Sequence, residues 1–207
     1  MTITVLTLIL IGLLTGTVTA ISAGSGVAIV VPLLVILLGA DIYSAIGTSL
    51  FVDVIASINV AYHYYRFGRI DLRSGMWLGI SAVAGALIGS HFAHYIPQQG
   101  LNGAFSIFII ISGITFIVRA YSKRHISLSR FKFENKKGQI LMLLGIGLYI
   151  GISTGLFGTG GGATILLVLV YILDYPLHTA IGTATALMAI SAASGTIGYA
   201  TTKHVLW

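Results

Sequence analysis

Eight apolar runs occupy most of this chain, and they constrain its fold more than any other feature of the sequence. Several are long enough to cross a bilayer, which takes about 20 helical residues. The runs are Thr2–Ser22, Val27–Gly39, Ser44–Tyr65, Ser74–Ile96, Leu101–Tyr121, Gly138–Phe157, Ala163–Leu173 and Leu177–Thr201. Only 8% of the residues are charged, whereas about a quarter are charged in a typical soluble domain. The sequence therefore predicts an all-α, polytopic integral membrane protein, with the lipid bilayer as its surroundings.

The basic residues form two short clusters between apolar runs. One cluster is Arg66, Arg69 and Arg73, and the other is Arg119, Lys123, Arg124, Arg130, Lys132, Lys136 and Lys137. Lys and Arg accumulate in the cytoplasmic loops of membrane proteins, so both clusters are predicted to be cytoplasmic. This distribution argues against a nucleic-acid partner.

The chain aligns with itself without a gap when it is shifted by 135 residues. The identities fall on glycines and on one tetrapeptide, which indicates a true repeat rather than a chance match of apolar residues. They pair Gly12 with Gly147, Gly16 with Gly151, Gly26 with Gly161, Ala45–Thr48 with Ala180–Thr183, and Tyr64 with Tyr199. Each full unit has five apolar segments, an odd number, so the second unit is predicted to enter the membrane inverted.

The predicted organisation is a first transmembrane unit at 1–122, a basic cytoplasmic loop at 123–137 and a second unit at 138–207. In the alignment Trp207 falls opposite Leu72, so the second unit lacks counterparts of the last two helices of the first. The abrupt stop favours a fragment of a longer chain.

Two glycine breaks each precede a short apolar run. Irregular backbone at membrane depth is tolerated only where it is buried in protein or lines a wet cavity. The N–H groups that open the following helix lack internal partners and carry the positive end of its dipole. Paired breaks of this kind indicate a transport site at the bilayer midplane, and an anion is expected there. The residues expected to bind it are Gly24, Ser25, Gly26, Thr159, Gly160, Gly161 and Gly162.

Close helix packing is the alternative role for glycines in such a chain. It is the preferred interpretation for the small-residue pairs outside the breaks. These pairs are Gly12 and Gly16, Gly75 and Gly79, Gly85 and Gly89, and Gly151 and Gly155.

Four hydroxyl residues near the breaks are candidates for completing the anion shell, namely Thr48, Ser49, Thr183 and Thr185. Their alternative role is to bond the backbone of their own helix. Asp53 is the only acid well inside an apolar run, and such a carboxylate is functional by default. It is the candidate for proton coupling, or it pairs with His63 or an arginine. The repeat places Met188 opposite it.

The histidines are interpreted mainly as structural. His91 and His94 lie at a helix end with no acid close in sequence, so no metal site is predicted. Asn59 and His63 share a helical face that would suit a polar cytoplasmic exit path, unless His63 belongs to an interfacial aromatic belt.

No enzymatic constellation is visible. The chain has no cysteine, and it contains no Gly-x-Ser-x-Gly, His-Glu-x-x-His or Walker sequence. Neither an enzymatic activity nor a cofactor is predicted.

The motifs resemble those of the sulfite exporter TauE/SafE family. The resemblance rests on Gly24–Gly26 followed by Pro32–Leu34 and Ala45–Leu50, on Gly160–Gly162 with Ala180–Thr183, and on Arg69–Asp71 followed by Gly85–Gly89. It implies a multi-pass permease of the plasma membrane for sulfur-containing or related organic anions. Ser25 and Val27 replace glycines of the family's first break, and Leu167 stands where the first unit has Pro32.

The predicted function is secondary transport of a small anion, such as sulfite or a sulfonate, coupled to protons through Asp53. Rocking of the two units would expose the site to each side in turn. The alternatives are an anion channel, or a membrane anchor or assembly subunit of a larger complex. A homo-oligomer is left open.

Overall fold

The computed structural model describes residues 23–121 and 136–201, together with positions 9, 12–13, 15–17, 19 and 20. The described positions between 9 and 20 are helical. Seven further helices follow: α1 Val27–Leu38, α2 Ile42–Arg66, α3 Leu72–Ala93, α4 Gln98–Tyr121, α5 Lys136–Phe157, α6 Gly162–Tyr171 and α7 Leu177–Thr201. The described residues contain no strand, which confirms the all-α prediction. Most of the predicted basic loop lies outside the described residues.

Four of these helices are long and apolar enough to cross a membrane. The segments are Ile42–Arg66, Gly75–Ala93, Lys137–Phe157 and Leu177–Thr201. Helices α1 and α6 have only 12 and 10 residues. At about 1.5 Å per residue they span roughly half of a hydrocarbon core about 30 Å thick. The chain is a membrane protein in which two short helices accompany the long ones.

The sequence repeat is also present in the backbone. Under the same shift of 135 residues, α2 and α7 begin and end at equivalent positions, and α1 and α6 begin at equivalent positions. Left-handed residues recur as well. Ala23 and Gly158 precede the short helices with φ angles of 51° and 68°, and Gly39 and Asp174 follow those helices with 63° and 57°. The two units therefore share this pair of helices and the turn that joins them.

The equivalent helices α2 and α7 pack side by side and antiparallel. A Cβ atom on Gly195 would lie 3.0 Å from Cδ1 of Leu50, and one on Gly182 would lie 2.8 Å from Cβ of Tyr64. The start of α2 thus meets the end of α7, and the end of α2 meets the start of α7. An inverted repeat requires this arrangement. Insertion of the two units in opposite directions across the membrane stays a prediction.

Helix α7 is the central helix of the described structure. It packs against α2, α3, α5 and α6. Of its apolar 18-residue stretch, 78% is buried inside the protein. Small residues on α7 allow its neighbours to approach closely. Because α6 leads into α7 through a short loop, the second glycine break is brought to the centre of the molecule.

The backbones of α3 and α5 touch through glycines. A Cβ on Gly85 would lie 3.0 Å from Cα of Gly151, and one on Gly155 would lie 2.8 Å from the carbonyl carbon of Gly89. Real Cβ atoms essentially never approach other heavy atoms this closely. The packing role predicted for these two pairs is therefore confirmed.

The other two small-residue pairs behave differently from each other. Cβ atoms on Gly75 and Gly79 would lie 3.2 Å and 2.6 Å from methyl carbons of Leu187, so this pair packs against a side chain of α7. A Cβ on Gly12 or Gly16 would meet nothing within 4 Å. The packing role expected of Gly12 and Gly16 is not seen among the residues that the structure describes.

Candidate functional site

The first break leads into α1 through a left-handed residue and a glycine. The N–H of Ala23 donates to the Thr19 carbonyl at 3.0 Å and ends the preceding helical segment. Gly26 is then the N-cap residue of α1. A Cβ on Gly26 would lie 2.6 Å from Cβ of Thr15, so this position has room only for glycine. The break is therefore a packed structural feature and not a loose loop.

Asp53 places its carboxylate at the N-terminal end of α1. Its Oδ1 accepts the Gly26 N–H at 3.2 Å, and its Oδ2 accepts the Ser25 hydroxyl. The Ser25 Oγ accepts the Val27 N–H at 3.1 Å. The helix dipole and the free N–H groups of the first turn favour a negative charge here. Asp53 is only 2% exposed, so the protein itself supplies a buried carboxyl group at the first break.

These partners replace the pairing with His63 that the sequence left open. His63 lies ten residues further along α2, which corresponds to about 15 Å of helix. The carboxylate points instead to Ser25 and Gly26, on a different segment of the chain. The interpretation of Asp53 and His63 as a pair is not supported.

The second break repeats the first with three left-handed glycines. Gly158, Gly160 and Gly161 have φ angles of 68°, 60° and 69°. A residue with a side chain would be destabilised there by about 1–2 kcal/mol. The Gly158 N–H donates to the Thr154 carbonyl at 2.8 Å, the counterpart of the bond made by Ala23. Gly161 is the N-cap residue of α6.

The two breaks are in contact with each other. A Cβ on Gly162 would meet the Ala23 carbonyl oxygen, and one on Gly158 would lie 3.3 Å from Cγ2 of Val27. Residues 23 and 158 are repeat equivalents, and so are residues 27 and 162. The contacts are therefore reciprocal, as a two-fold relation between the units would predict. The predicted meeting of the breaks is found, and their depth in the bilayer stays a prediction.

One carboxylate borders both breaks. A Cβ on Gly160 would lie 2.8 Å from Oδ2 of Asp53. The oxygen that accepts the Ser25 hydroxyl in the first break therefore also lies against the backbone of the second. Asp53 is therefore close to the backbone of both units.

Met188 takes the place in the second unit that Asp53 takes in the first. Its Cε lies 2.6 Å from the Cβ position of Gly160, and its sulfur lies 2.5 Å from that of Gly162. The Ser191 hydroxyl, on the next turn of α7, lies 3.4 Å from the Gly160 carbonyl oxygen. The N-terminal end of α6 thus faces a neutral thioether, whereas that of α1 faces a carboxylate.

The four predicted hydroxyl residues are dispersed. Ser49 lies at the second break, with its Oγ 2.9 Å from the Cβ position of Gly158, and it donates to the Ile46 carbonyl at 2.9 Å. Thr185 donates to the Ile181 carbonyl of its own helix. Thr48 is half-buried on α2. For Ser49 and Thr185 the structure gives the backbone role that was the alternative, and contact with an anion stays a prediction.

Thr183 is held by the loop between α2 and α3. Its Oγ1 accepts the Asp71 N–H at 3.0 Å. It lies five residues before Met188, about 7.5 Å along the helix. Thr183 is therefore on the side of the breaks where the arginine loop lies, and it is not brought to Gly160.

A substitution of Thr183 separates its structural role from a substrate role. Thr183→Val removes the acceptor of the Asp71 N–H, and we expect it to lower the free energy of unfolding by about 1 kcal/mol. Thr183→Ser keeps the hydroxyl and should be close to the wild type. Denaturant unfolding in detergent measures both variants. If Thr183→Val also weakens anion binding and Thr183→Ser does not, Thr183 belongs to the anion shell.

Several residues of the site were not found from the sequence. The hydroxyls of Thr19 and Thr154 both donate at 2.9 Å to the carbonyl four residues earlier, just before each break. They are identical residues at the repeat offset, so the self-alignment carried a signal for them. The buried Ser57 hydroxyl, one turn after Asp53 on α2, has no hydrogen-bond partner among the described residues. Nothing in the sequence distinguished Ser57.

The histidines lie away from the breaks. His94 lies between the rings of Tyr43 and Tyr199, and His91 contacts Phe92 and Tyr95. Among the described residues no three His, Cys, Asp or Glu side chains are grouped as a metal site would require.

Comparison with known proteins agrees with this architecture. A family model described as sulfite exporter TauE/SafE matches residues 8–207. The chain is 25% identical to the probable membrane transporter protein YunE of Bacillus subtilis, over 97% of this chain and 80% of that one. It is 28% identical to the probable membrane transporter protein YdhB of the same organism, over 96% and 80% of the two chains. For the probable membrane transporter protein MJ0441 of Methanocaldococcus jannaschii the identity is 26%, over 94% and 72%. No solved structure gives a significant match.

Proposed function

Because the chain belongs to the sulfite exporter TauE/SafE family, we propose that this membrane transporter carries a sulfur-containing oxyanion or a related small organic anion. Sulfite and simple sulfonates are the candidate substrates. The family and the names of the relatives indicate a transporter rather than an enzyme. The proposed place of action is the plasma membrane, with the chain crossing it several times and the anion passing where the two breaks meet.

The observation that carries this proposal is the difference between two equivalent helix N-termini. In the first unit the Asp53 carboxylate accepts the Gly26 N–H at the start of α1. In the second unit Met188, a neutral residue, stands at the equivalent place. The two helices begin at equivalent positions of the repeat. The carboxylate found at the start of α1 therefore supports the binding of an oxyanion at the start of α6. The proposed substrate site is the start of α6, with Thr159, Gly160, Gly161 and Gly162.

The remaining predicted residues surround this site at different distances. Gly24, Ser25 and Gly26 belong to the first break, which contacts the second through Ala23, and Ser49 borders Gly158. Thr48 lies on α2, and Thr183 and Thr185 lie on α7. For the anion to reach the N–H groups of α6, the flexible side chain of Met188 has to move aside, which an unbranched thioether does readily.

The position of Asp53 supports proton coupling. Its Oδ2 borders Gly160, so an ionised Asp53 would repel an anion bound at the start of α6. At a separation of about 6 Å and an effective dielectric constant of about 20, the repulsion amounts to about 3 kcal/mol. Uptake of a proton by Asp53 removes this repulsion. We therefore propose that anion and proton move together, with rocking of the two units alternating access to the site.

Met188→Asp is the experiment that tests the site. The introduced carboxylate would take the position at α6 that Asp53 takes at α1, and would exclude the substrate. We expect the affinity for the substrate anion to fall at least about tenfold, because like charges at this distance repel strongly. The measurement is the thermal shift of the purified full chain in detergent with sulfite, thiosulfate or methanesulfonate.

Met188→Asn is the matched control, since it has the same shape as the aspartate without the charge. It should retain saturable stabilisation by the anion. Equal stabilisation of the wild type, Met188→Asp and Met188→Asn by the same anion would place the binding site elsewhere. Flux that never saturates with substrate concentration would favour a channel over a transporter.

A further inference from the structure

A cleft of about 450 Å³ lies between the end of α2 and the start of α7. It is lined by His63, Tyr64, Phe67, Arg69 and His178. Three of these five residues are basic and none is acidic. The cleft lies at the end of the molecule that carries the arginine loop, which the charge distribution predicts to be cytoplasmic.

The basic residues of the cleft have no carboxylate partner within the described structure. His63, Arg69 and His178 form no ion pair with another described residue. Neither Asp71 nor Asp174, the acids closest in sequence, lines the cleft.

One acid and one helix end lie close in sequence to the residues of the cleft. The carboxylate of Asp71 accepts the Tyr175 hydroxyl at 2.8 Å. Helix α7 begins at Leu177, so the positive end of its dipole adds to the basic side chains. Arg69 therefore gives the lining of the cleft a fixed positive charge, and no carboxylate lines it.

The repeat shows that the opposite end of the same helix pair is closed. His178 and Tyr64 correspond to Tyr43 and Tyr199 under the shift of 135 residues. At that end the ring of His94 lies 5.9 Å from the ring of Tyr43 and 5.4 Å from that of Tyr199. Equivalent positions thus form an open basic cleft at one end of α2 and α7, and a closed aromatic cluster at the other.

A transporter that is open to one side of the membrane is expected to show this difference between the two ends of α2 and α7. Tyr199 is fully buried, whereas its counterpart Tyr64 is half-buried at the wall of the cleft. Transporters of inverted repeats open to one side at a time around a central site. The cleft is then the open end of the pathway in this state.

The floor of the cleft is a tight contact between α2 and α7. A Cβ on Gly182 would meet the Arg69 carbonyl oxygen and would lie 2.8 Å from Cβ of Tyr64. An anion in the cleft would therefore be held above this contact. It would reach the breaks only when the two helices separate.

We propose that this cleft is a second binding site, a vestibule that captures a small organic anion before it reaches the breaks. Arg69 and the two histidines attract the oxyanion group, and Tyr64 and Phe67 offer apolar surface to a short carbon chain. A sulfonate or a similar organic anion matches both features. The role as a vestibule rests on the proposed function, whereas anion binding in the cleft does not.

The test uses a single introduced thiol, because the chain contains no cysteine. Phe67→Cys places it at the wall of the cleft, and Gln99→Cys places a control thiol in the exposed, uncharged turn at the start of α4. The full chain is reconstituted in nanodiscs of zwitterionic lipid. The rates of modification by an anionic and a cationic methanethiosulfonate of similar size are then compared.

We expect the anionic reagent to be favoured at position 67 by about tenfold relative to position 99, because a basic cleft concentrates anions. Methanesulfonate should slow the reaction at position 67 with saturation. Adding Arg69→Gln should remove both effects. Equal reagent preference at the two positions, or no protection by methanesulfonate, would overturn the proposal.

A second arm separates a soluble anion from a lipid headgroup. In nanodiscs that contain phosphatidylglycerol, protection by methanesulfonate should persist. If phosphatidylglycerol alone protects position 67, the cleft is a lipid site and the vestibule is refuted. Protection should also persist with Asp53→Asn. In the wild type, intact protection together with no anion transport would refute the proposed function and leave the cleft as an anion site.

Discussion

Replacing Asp53 with asparagine is expected to abolish proton-driven anion uptake while leaving the protein folded. Asparagine keeps an oxygen that can accept the Gly26 N–H, and its amide can remain beside Ser25. It cannot change its charge. The repulsion that an ionised Asp53 exerts on an anion beside Gly160, about 3 kcal/mol, corresponds to about a hundredfold in binding. That coupling is lost in the variant.

The expected dependence of anion affinity on pH has a definite direction. In the wild type, anion affinity should fall as the pH rises, because an ionised Asp53 repels the anion and a protonated Asp53 does not. In Asp53→Asn, affinity should be high and independent of pH. The measurements are anion binding across pH, and uptake into proteoliposomes with and without a proton gradient.

A second substitution separates charge from structure at the same position. Asp53→Leu leaves the Gly26 N–H and the Ser25 hydroxyl without their acceptor. Each buried group left unsatisfied costs about 1–3 kcal/mol, so this variant should be less stable than Asp53→Asn. If Asp53→Asn retains full gradient-driven uptake with an unchanged response to pH, Asp53 is not the coupling residue.

Replacing Gly151 with leucine is expected to have the largest effect on stability. A Cβ on Gly151 would lie 2.8 Å from the carbonyl carbon of Ala82 and 2.9 Å from its Cα. These are backbone atoms of α3, which cannot move aside as a flexible side chain can. Helices α3 and α5 would have to separate, so we expect the free energy of unfolding to fall by about 3 kcal/mol or more.

Gly145→Leu is the matched control for this prediction. Gly145 lies on the same helix, is exposed, and would have nothing within 4 Å of an added Cβ. The apparent melting temperature and the yield of monodisperse protein in detergent should be close to wild type for Gly145→Leu and far lower for Gly151→Leu. Equal stability of the two variants would contradict the helix contact described above.

Much of the fold follows from local properties of the chain. Hydropathy over about 20 residues predicts the long helices, and the glycines mark where the backbone departs from them. The predicted run Leu177–Thr201 coincides with α7. The run Ser44–Tyr65 begins two residues late, because Asp41 caps α2 by accepting the Ser44 N–H and the helix starts at Ile42. The family resemblance seen in these motifs is confirmed by the match over residues 8–207.

The candidate site was only partly predictable. The breaks at Gly26 and Gly161 could be named because both sit in the repeat and precede short helices. The alignment of the repeats showed that Met188 stands opposite Asp53. It did not show that these two residues lie at the N-terminal ends of α6 and α1. The sequence predicted Thr183 as a substrate ligand from its position in the repeat, and its hydrogen bond with the Asp71 N–H could not be predicted.

The sequence by itself determined the membrane class, the repeat and the places where the helices break, because each depends on composition or on conformational preferences of neighbouring residues. Only the tertiary structure decided what surrounds the Asp53 carboxylate. Its partners Ser25 and Gly26 are 28 and 27 residues away along the chain, and Gly160 lies in the other unit. Such contacts depend on how helices cross and how closely their backbones approach, which no pattern along a single helix specifies.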